Sequence, residues 1–142
     1  MTGVWILLGA VVLALAFGGY RRLTDGRART VRTDAAPRLD ASRLGGELGE
    51  TATFVQFSSS VCAPCRATHR VLSDVTAEDS TLTHIDVDAE TRLDLVEEFG
   101  ITRTPTVLLL DATGVVRRRI VGATRKADVL DALNLVAGRT AA

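Results

Sequence analysis

The feature that most constrains this chain is an uncharged N-terminal run, VWILLGAVVLALAFGGY, over residues 4–20. A helix of this length spans about 25 Å, slightly less than the ~30 Å hydrocarbon core of a bilayer. Because the run is apolar on all sides, it needs a membrane or a larger protein to cover it. Trp5 and Tyr20 lie near its two ends, where interfacial aromatic residues are found. The sequence therefore predicts a single-pass membrane anchor over residues 1–22, with lipid as its partner.

A cleaved signal peptide is the alternative interpretation of this run. Signal peptides begin with a basic region, whereas here only the α-amino group carries a positive charge, so an uncleaved anchor is favoured.

Arginines follow the run throughout residues 21–32, and the positive-inside rule then places the rest of the chain in the cytoplasm. An extracytoplasmic location is the alternative. Ala10, Ala14 and Gly18 form a row of small residues that would allow a weak homodimer through the helix.

Charge is distributed unevenly along the chain. The formal net charge is zero, which argues against a nucleic-acid-binding polycation, and no nucleic-acid partner is expected. This net charge of zero is the sum of +4 over residues 21–43 and −4 over residues 44–142. Residues 23–36 contain few large apolar side chains, so we predict a flexible basic tether there, suited to acidic lipid headgroups.

From residue 37 onward short periodic elements alternate, and residues 37–142 are predicted to form one domain. A strand–helix–strand crossover demands parallel pairing, and a terminal hairpin adds an antiparallel strand. The predicted fold class is α/β, with a mixed central sheet flanked by helices. Leu93 and Leu130 are among the helix side chains expected to face inward. Strands are predicted over 51–57, 82–87, 106–110 and 115–121, and helices over 40–48, 64–77, 91–99 and 127–137.

Two cysteines stand where the first strand of this domain ends and a helix begins, in the sequence SSSVCAPCR. Cys62 would occupy the helix N-terminus, where free N–H groups and the helix dipole favour a thiolate, the nucleophile of disulfide exchange. Pro64 suits the first helical turn because it lacks an N–H. Cys65 lies one turn further on the same side and could attack a mixed disulfide formed at Cys62. The motif predicts a redox-active dithiol, and two buried thiols or a structural disulfide are the alternatives.

A metal site is a competing interpretation of the same region. Cys62, Cys65, His69 and His84 could offer four ligands, but structural zinc sites combine two separated ligand pairs, and no second Cys-x-x-Cys or His-x₃-His occurs. We therefore expect no metal, and we interpret His69 as a helix-surface residue. Because no flavin or nicotinamide motif is present, we expect no cofactor, and the electrons must come from an external dithiol donor.

Four short motifs occur in register along the domain: Phe54-Val-Gln-Phe57, Cys62-Ala-Pro-Cys65, Thr104-Pro105-Thr106 and Val121-Gly122-Ala123. In these motifs the chain resembles the thioredoxin family, with alanine where thioredoxins usually have glycine between the cysteines. The resemblance implies a thioredoxin-like fold, a cis peptide before the proline, and protein disulfides as substrates. It implies catalytic roles for Cys62, Cys65 and Pro105, and substrate binding by Thr104, Val61, Ala63, Pro64 and Gly122.

The chain also departs from the family's pattern. Six residues before Cys62, thioredoxins have a buried aspartate thought to help deprotonate the second cysteine, and this chain has Gln56, whose amide cannot accept a proton. His84 occupies the strand position that usually holds a lysine beneath the site. It is either a replacement proton carrier or a partly exposed strand residue. Val61 replaces the usual tryptophan, which predicts a smaller and more open rim around the first cysteine.

Three functions are compatible with these features. The first is a membrane-tethered thiol–disulfide oxidoreductase, in which Cys62 attacks a substrate disulfide and Cys65 resolves the mixed disulfide. The second is a sulfur carrier that holds a persulfide on Cys62. The third is a non-catalytic binding module that kept the fold. We predict the first, because the strand–helix placement of the cysteines is the placement that disulfide exchange requires.

Overall fold

The computed structural model of the protein describes residues 2–24, 28–30 and 37–140. Continuously buried apolar stretches form its central strands, and amphipathic stretches form the helices that cover the sheet. The strands are β1 (Ala28–Thr30), β2 (Ala52–Ser58), β3 (Leu82–Asp88), β4 (Thr106–Asp111) and β5 (Val116–Val121). The helices are α1 (Thr2–Thr24), α2 (Ala41–Leu44), α3 (Ala63–Glu78), α4 (Leu93–Glu98) and α5 (Lys126–Thr140).

These strands form one mixed sheet in the order β1-β5-β4-β2-β3. Strand β2 pairs in parallel with β3 and antiparallel with β4, while β5 pairs antiparallel with both β4 and β1. Helix α3 makes the crossover that the parallel pair requires. The predicted α/β class, with a mixed sheet flanked by helices, is confirmed. The end of β2, the start of β4 and the end of β5 meet at one edge of the sheet.

Alternate side chains of β2 enter two apolar layers, one on each side of the sheet. Val55 and Phe57 pack into the layer that contains α2 and α4, whereas Phe54 packs into the layer that contains α3 and α5. Gln56 lies on the same face as Phe54, so strand alternation directs its amide toward α3. It is fully buried there, close to where the cysteine-bearing helix begins.

Part of the segment predicted to be a flexible tether forms a strand. Ala28–Thr30 pairs antiparallel with β5, with Ala28 opposite Ile120 and Thr30 opposite Arg118. This pairing uses backbone groups that any residue offers, so a three-residue strand leaves no hydrophobic periodicity to detect. Residues 23 and 24 of the predicted tether belong to the first helix, and positions 25–27 and 31–36 lie outside the described residues.

Helix α1 contains the uncharged N-terminal run and continues to Thr24, two residues beyond the predicted anchor. Its segment Thr2–Arg21 has a mean hydropathy of 2.1 and no part of it is buried. The segment is long and apolar enough to cross a membrane, and a signal sequence has the same properties.

Candidate active site

The two cysteines form a disulfide at the N-terminus of α3. Cys62 is the N-cap residue, and its Sγ accepts a hydrogen bond from the Cys65 backbone N–H at 3.1 Å. The Sγ atoms are joined at 2.03 Å. Cys65 is 3% exposed, whereas Cys62 is only partly buried. The first cysteine is therefore accessible to a partner, its negative charge in the reduced state is stabilised by a helix terminus, and the second cysteine lies behind it.

A second loop, at the start of β4, lies beside the disulfide. The Thr104–Pro105 peptide bond is cis, which confirms the expectation drawn from the family resemblance. The hydroxyls of Ser59 and Thr104 lie 3.2 Å apart and connect this loop to the segment that leads to Cys62. The Gly122 N–H donates to the Pro105 carbonyl at 2.8 Å and fixes the end of β5 against the same loop. The structure thus brings Thr104, Pro105 and Gly122 to one edge of the sheet with the cysteines.

The rim around the first cysteine is open. Val61 is 89% exposed, and Ala63 and Pro64 are exposed beside it. These small apolar side chains leave the approach to Cys62 free of bulky groups.

The side-chain amide of Gln56 lies beneath the second cysteine, at the position where thioredoxins have an aspartate. Gln56 Nε2 donates to the Cys65 carbonyl oxygen at 3.0 Å. Its Oε1 is buried and meets no hydrogen-bond donor among the described residues. The amide cannot exchange a proton with the Cys65 thiol at neutral pH. Any proton that leaves this thiol must therefore reach another group.

A cavity of about 390 Å³ opens on the inner side of the disulfide. Two of its lining residues are hydrogen-bonded, with His69 Nδ1 3.1 Å from Asp86 Oδ2. The Ser58 hydroxyl donates to the other Asp86 oxygen. The expectation that His69 is a helix-surface residue is confirmed, since half of its side chain is exposed, whereas its contact with Asp86 was not predicted from the sequence. The lining residues are Gln56, Ser58, Ser59, Cys62, Cys65, Arg66, His69, Arg70 and Asp86.

His84 does not line the cysteine cavity. It lies on the α3 face of β3, two positions before Asp86, and lines a neighbouring shallow cleft of about 440 Å³ that His69 also lines. Its ring centroid is 4.8 Å from that of His69. Burial lowers the pKa of His84 from 6.5 to about 4; the charge of His69 lowers it further and Asp86 opposes the shift. At neutral pH His84 is therefore uncharged.

The low pKa of His84 predicts a pH-dependent stability. Between pH 6.5 and about 4 the unfolded chain binds a proton at this position and the folded chain does not, so stability falls as the pH is lowered through this window. In His84→Gln this loss is absent. After a discount for the partly exposed ring, we expect the variant to lose about 2 kcal/mol less than wild type between pH 7 and pH 4. Pulse proteolysis in urea at the two pH values measures it, and equal losses would contradict the assignment.

The histidines and cysteines do not combine into a metal site. The two sulfurs are bonded to each other, and His69 is bonded to Asp86. Within the residues that the structure describes, no three His, Cys, Asp or Glu side chains are grouped as metal ligands would be.

Comparisons with known proteins identify the family. The family model described as a thioredoxin-like domain matches residues 46–137. A thioredoxin of Mycolicibacterium smegmatis is 34% identical over 84 residues, which cover 57% of this chain and 74% of that protein. Among solved structures, a thioredoxin of Nicotiana alata has a TM-score of 0.53 and 27% identity, covering 61% of this chain and 73% of that one. Mitochondrial thioredoxin 3 of Saccharomyces cerevisiae, in its oxidised form, has a TM-score of 0.53 and 19% identity, covering 60% and 78%.

The fold and the paired cysteines define a thiol–disulfide oxidoreductase. The chain belongs to the thioredoxin-like family. Its matched region contains the disulfide, the cis-proline loop and the glycine after β5.

Proposed function

We propose that this protein is a membrane-tethered reductase of protein disulfides. The observation that carries the proposal is the Cys62–Cys65 pair at the start of α3, with one sulfur accessible and the other buried behind it. That asymmetry suits a two-step exchange, because only the accessible sulfur can meet a bulky partner. The buried sulfur can then complete the reaction without leaving the fold.

In the proposed reaction the reduced Cys62 attacks one sulfur of the substrate disulfide. The Cys65 N–H, which already points at Cys62 Sγ, stabilises the attacking thiolate. A mixed disulfide forms and the first substrate thiolate leaves. Cys65 then attacks Cys62 Sγ, which forms the observed disulfide and releases the second substrate thiol. An external dithiol donor returns the pair to its reduced state.

The open rim favours a protein over a small molecule as the substrate. Val61 projects into solvent beside Cys62, so no wall encloses a small ligand on that side. The partly buried Thr104 offers its backbone next to the same sulfur, where an extended peptide segment could pair with it. Contacts with Val61 and with the Thr104 backbone would hold a substrate polypeptide on both sides of Cys62.

Strand β1 brings the proposed anchor close to the active-site edge of the sheet. Because Ala28 lies opposite Ile120, near the end of β5, the chain enters the sheet at the edge where the disulfide lies. Residues 25–27 can separate Thr24 from Ala28 by about 14 Å at most. Three strand spacings, about 14 Å, then separate β1 from β2. We therefore propose that the substrate disulfides lie near the membrane surface, on other membrane-associated proteins.

The arginines after α1 favour a cytoplasmic location of the domain. There the reducing thiol pools would keep the dithiol reduced and supply its electrons. A cytoplasmic location also agrees with the distribution of charge. The basic segment would bind acidic lipid headgroups, and the acidic domain would be repelled by them.

Trapping of partners through Cys65→Ser tests the proposal. Without Cys65 the mixed disulfide at Cys62 cannot be resolved, so the full chain should accumulate covalent partners that are released by reductant. We expect these complexes in the membrane fraction, and we expect a membrane-impermeant maleimide added to intact cells to leave Cys62 unlabelled until the cells are lysed. Mass spectrometry of the complexes identifies the partners.

The double variant Cys62→Ser/Cys65→Ser is the control, because it keeps the fold and removes both sulfurs. Complexes that persist in this control would not be mixed disulfides. Absence of any protein complex with Cys65→Ser would contradict protein disulfides as substrates. Labelling of Cys62 in intact cells would reverse the proposed orientation, and recovery of Cys65→Ser in the soluble fraction would contradict the anchor.

A further inference from the structure

The His69–Asp86 hydrogen bond at the cysteine cavity has no part in the two-step exchange described above. His69 lies on α3, one turn beyond Cys65, and its Nδ1 contacts Asp86 Oδ2 at 3.1 Å. Both residues line the cavity that also contains Cys62 and Cys65. A carboxylate can only accept at this contact, so the Nδ1 atom carries the hydrogen, and in the neutral form of the ring Nε2 is the nitrogen that keeps the lone pair. The imidazole is thus held with one nitrogen able to accept a proton.

The second step of the exchange needs such an acceptor. Cys65 is buried and must lose its proton before it can attack, because the thiolate is the nucleophile. Gln56, the polar side chain that contacts the Cys65 carbonyl, cannot take that proton. Cys65 and His69 both line the cavity of about 390 Å³, which opens to solvent and has room for several waters, since one water occupies about 30 Å³.

The charged groups around the cavity divide between two elements. Asp86 and His84 face His69 from β3, and Arg66 and Arg70 line the cavity from α3. The described residues of β2 at the cavity are uncharged. The two guanidinium groups would favour a thiolate in the cavity. His84 is uncharged at neutral pH, with a pKa near 4, and lies outside the cavity.

We propose that His69, held by Asp86, accepts the proton of Cys65 through cavity water during resolution of the mixed disulfide. His69 takes the place of a buried carboxylate, and Asp86 is a positioning residue that acts through it. The proposal concerns the dithiol chemistry on which the proposed function rests. It does not depend on the membrane anchor or on the identity of the substrate.

The step balances in atoms and electrons. The S–H proton of Cys65 passes to His69, the Cys65 thiolate bonds to Cys62 Sγ, and the bond between Cys62 and the substrate sulfur breaks. The departing substrate sulfur leaves as a thiolate and takes a proton, which His69 can return. The dithiol loses two electrons over the whole exchange, and the substrate disulfide gains them.

A chromogenic aryl disulfide separates the two steps, because each step releases one coloured thiolate. The reduced full chain in detergent is mixed with this disulfide in a stopped-flow instrument. We expect His69→Gln to leave the first phase within about twofold and to slow the second phase by about 10²-fold at pH 7. The second phase of the variant should accelerate steeply as the pH rises, and added imidazole should restore it in part.

Two further variants distinguish this assignment from a structural role. Asp86→Asn should slow the second phase less than His69→Gln, and the double variant should be no slower than His69→Gln alone, because Asp86 acts through His69. His84→Gln tests the other histidine on this side of the sheet and should leave the second phase within about twofold. An unchanged second phase and pH profile in His69→Gln would overturn the proposal. So would an equal loss in His84→Gln, or additive losses in the double variant. Because the aryl disulfide is a small molecule, a failure to trap protein partners would leave these outcomes unaffected.

Discussion

Cys62→Ser is expected to lower the turnover of disulfide reduction by at least about 10³-fold. A serine hydroxyl is not ionised at neutral pH, so no nucleophile remains at the exposed end of the pair. Cys65 cannot replace it, because only 3% of this residue is exposed. Reduction of a protein disulfide by the full chain, with an excess of a small dithiol as donor, measures the loss.

Ala67→Ser is the matched control for this substitution. It introduces the same side chain on the same helix, at an exposed position that lines neither cavity described above. Its turnover should stay within about twofold of wild type, since surface substitutions have small effects. Turnover of Cys62→Ser above about a tenth of the wild-type rate would show that Cys65 or another group attacks the substrate, and the assignment of Cys62 as the nucleophile would be wrong.

The central strands and the long helix could be predicted from the sequence because their hydrophobic patterns are strong. Strand β2 is β-branched and aromatic and is buried over six successive positions, and α3 begins at a proline-containing turn. Gly100, after the predicted helix over 91–99, has a φ of +56°, as its placement at a helix end indicated. The position of the cysteines follows from these same elements, so the redox pair could be placed before the structure was known.

Helix orientation was less predictable. Leu93 was expected to face inward and is 64% exposed, because α4 begins only at this residue and the preceding turn is not helical. Leu130 was also expected inward and is 41% exposed, while Val129 beside it is fully buried. Both errors come from periodicity, which gives the spacing of an apolar face but fixes its edges poorly when apolar residues are adjacent.

The pairing of His69 with Asp86 was beyond the sequence for a different reason. The contact depends on the position of α3 along β3. That position is determined by packing between segments far apart in the sequence, and a local sequence pattern does not reveal it. The sequence contains two histidines, and family resemblance directed attention to His84. The structure places His69 at the cysteine cavity because alternation along β3 puts Asp86 and His84 on the same face as α3, with Asp86 nearer the disulfide.

Gly49→Ala is expected to destabilise the fold by about 3 kcal/mol, in the upper range for a single added methyl group. Gly49 lies just before β2, and its N–H donates to Thr53 Oγ1 at 2.8 Å. A Cβ atom there would lie 2.8 Å from the backbone oxygen of Thr81 and closer still to that of Ala52. Because these obstacles are backbone atoms, relief requires a shift where β2 and β3 begin, and β2 carries the active site at its other end.

Gly46→Ala is the control for Gly49→Ala. It shows whether the loss of stability comes from backbone atoms close to position 49 or from any alanine placed in this loop. At position 46 the nearest atom to an added Cβ is Ile85 Cδ1 at 3.3 Å, the mobile end of a side chain that can move aside. We expect this variant to lose less than about 1 kcal/mol. Pulse proteolysis of both full-length variants across a urea series gives the two free energies of unfolding. A difference below about 1 kcal/mol between the two free energies of unfolding would contradict this prediction. It would mean that the loop before β2 can move without loss of the pairing between β2 and β3.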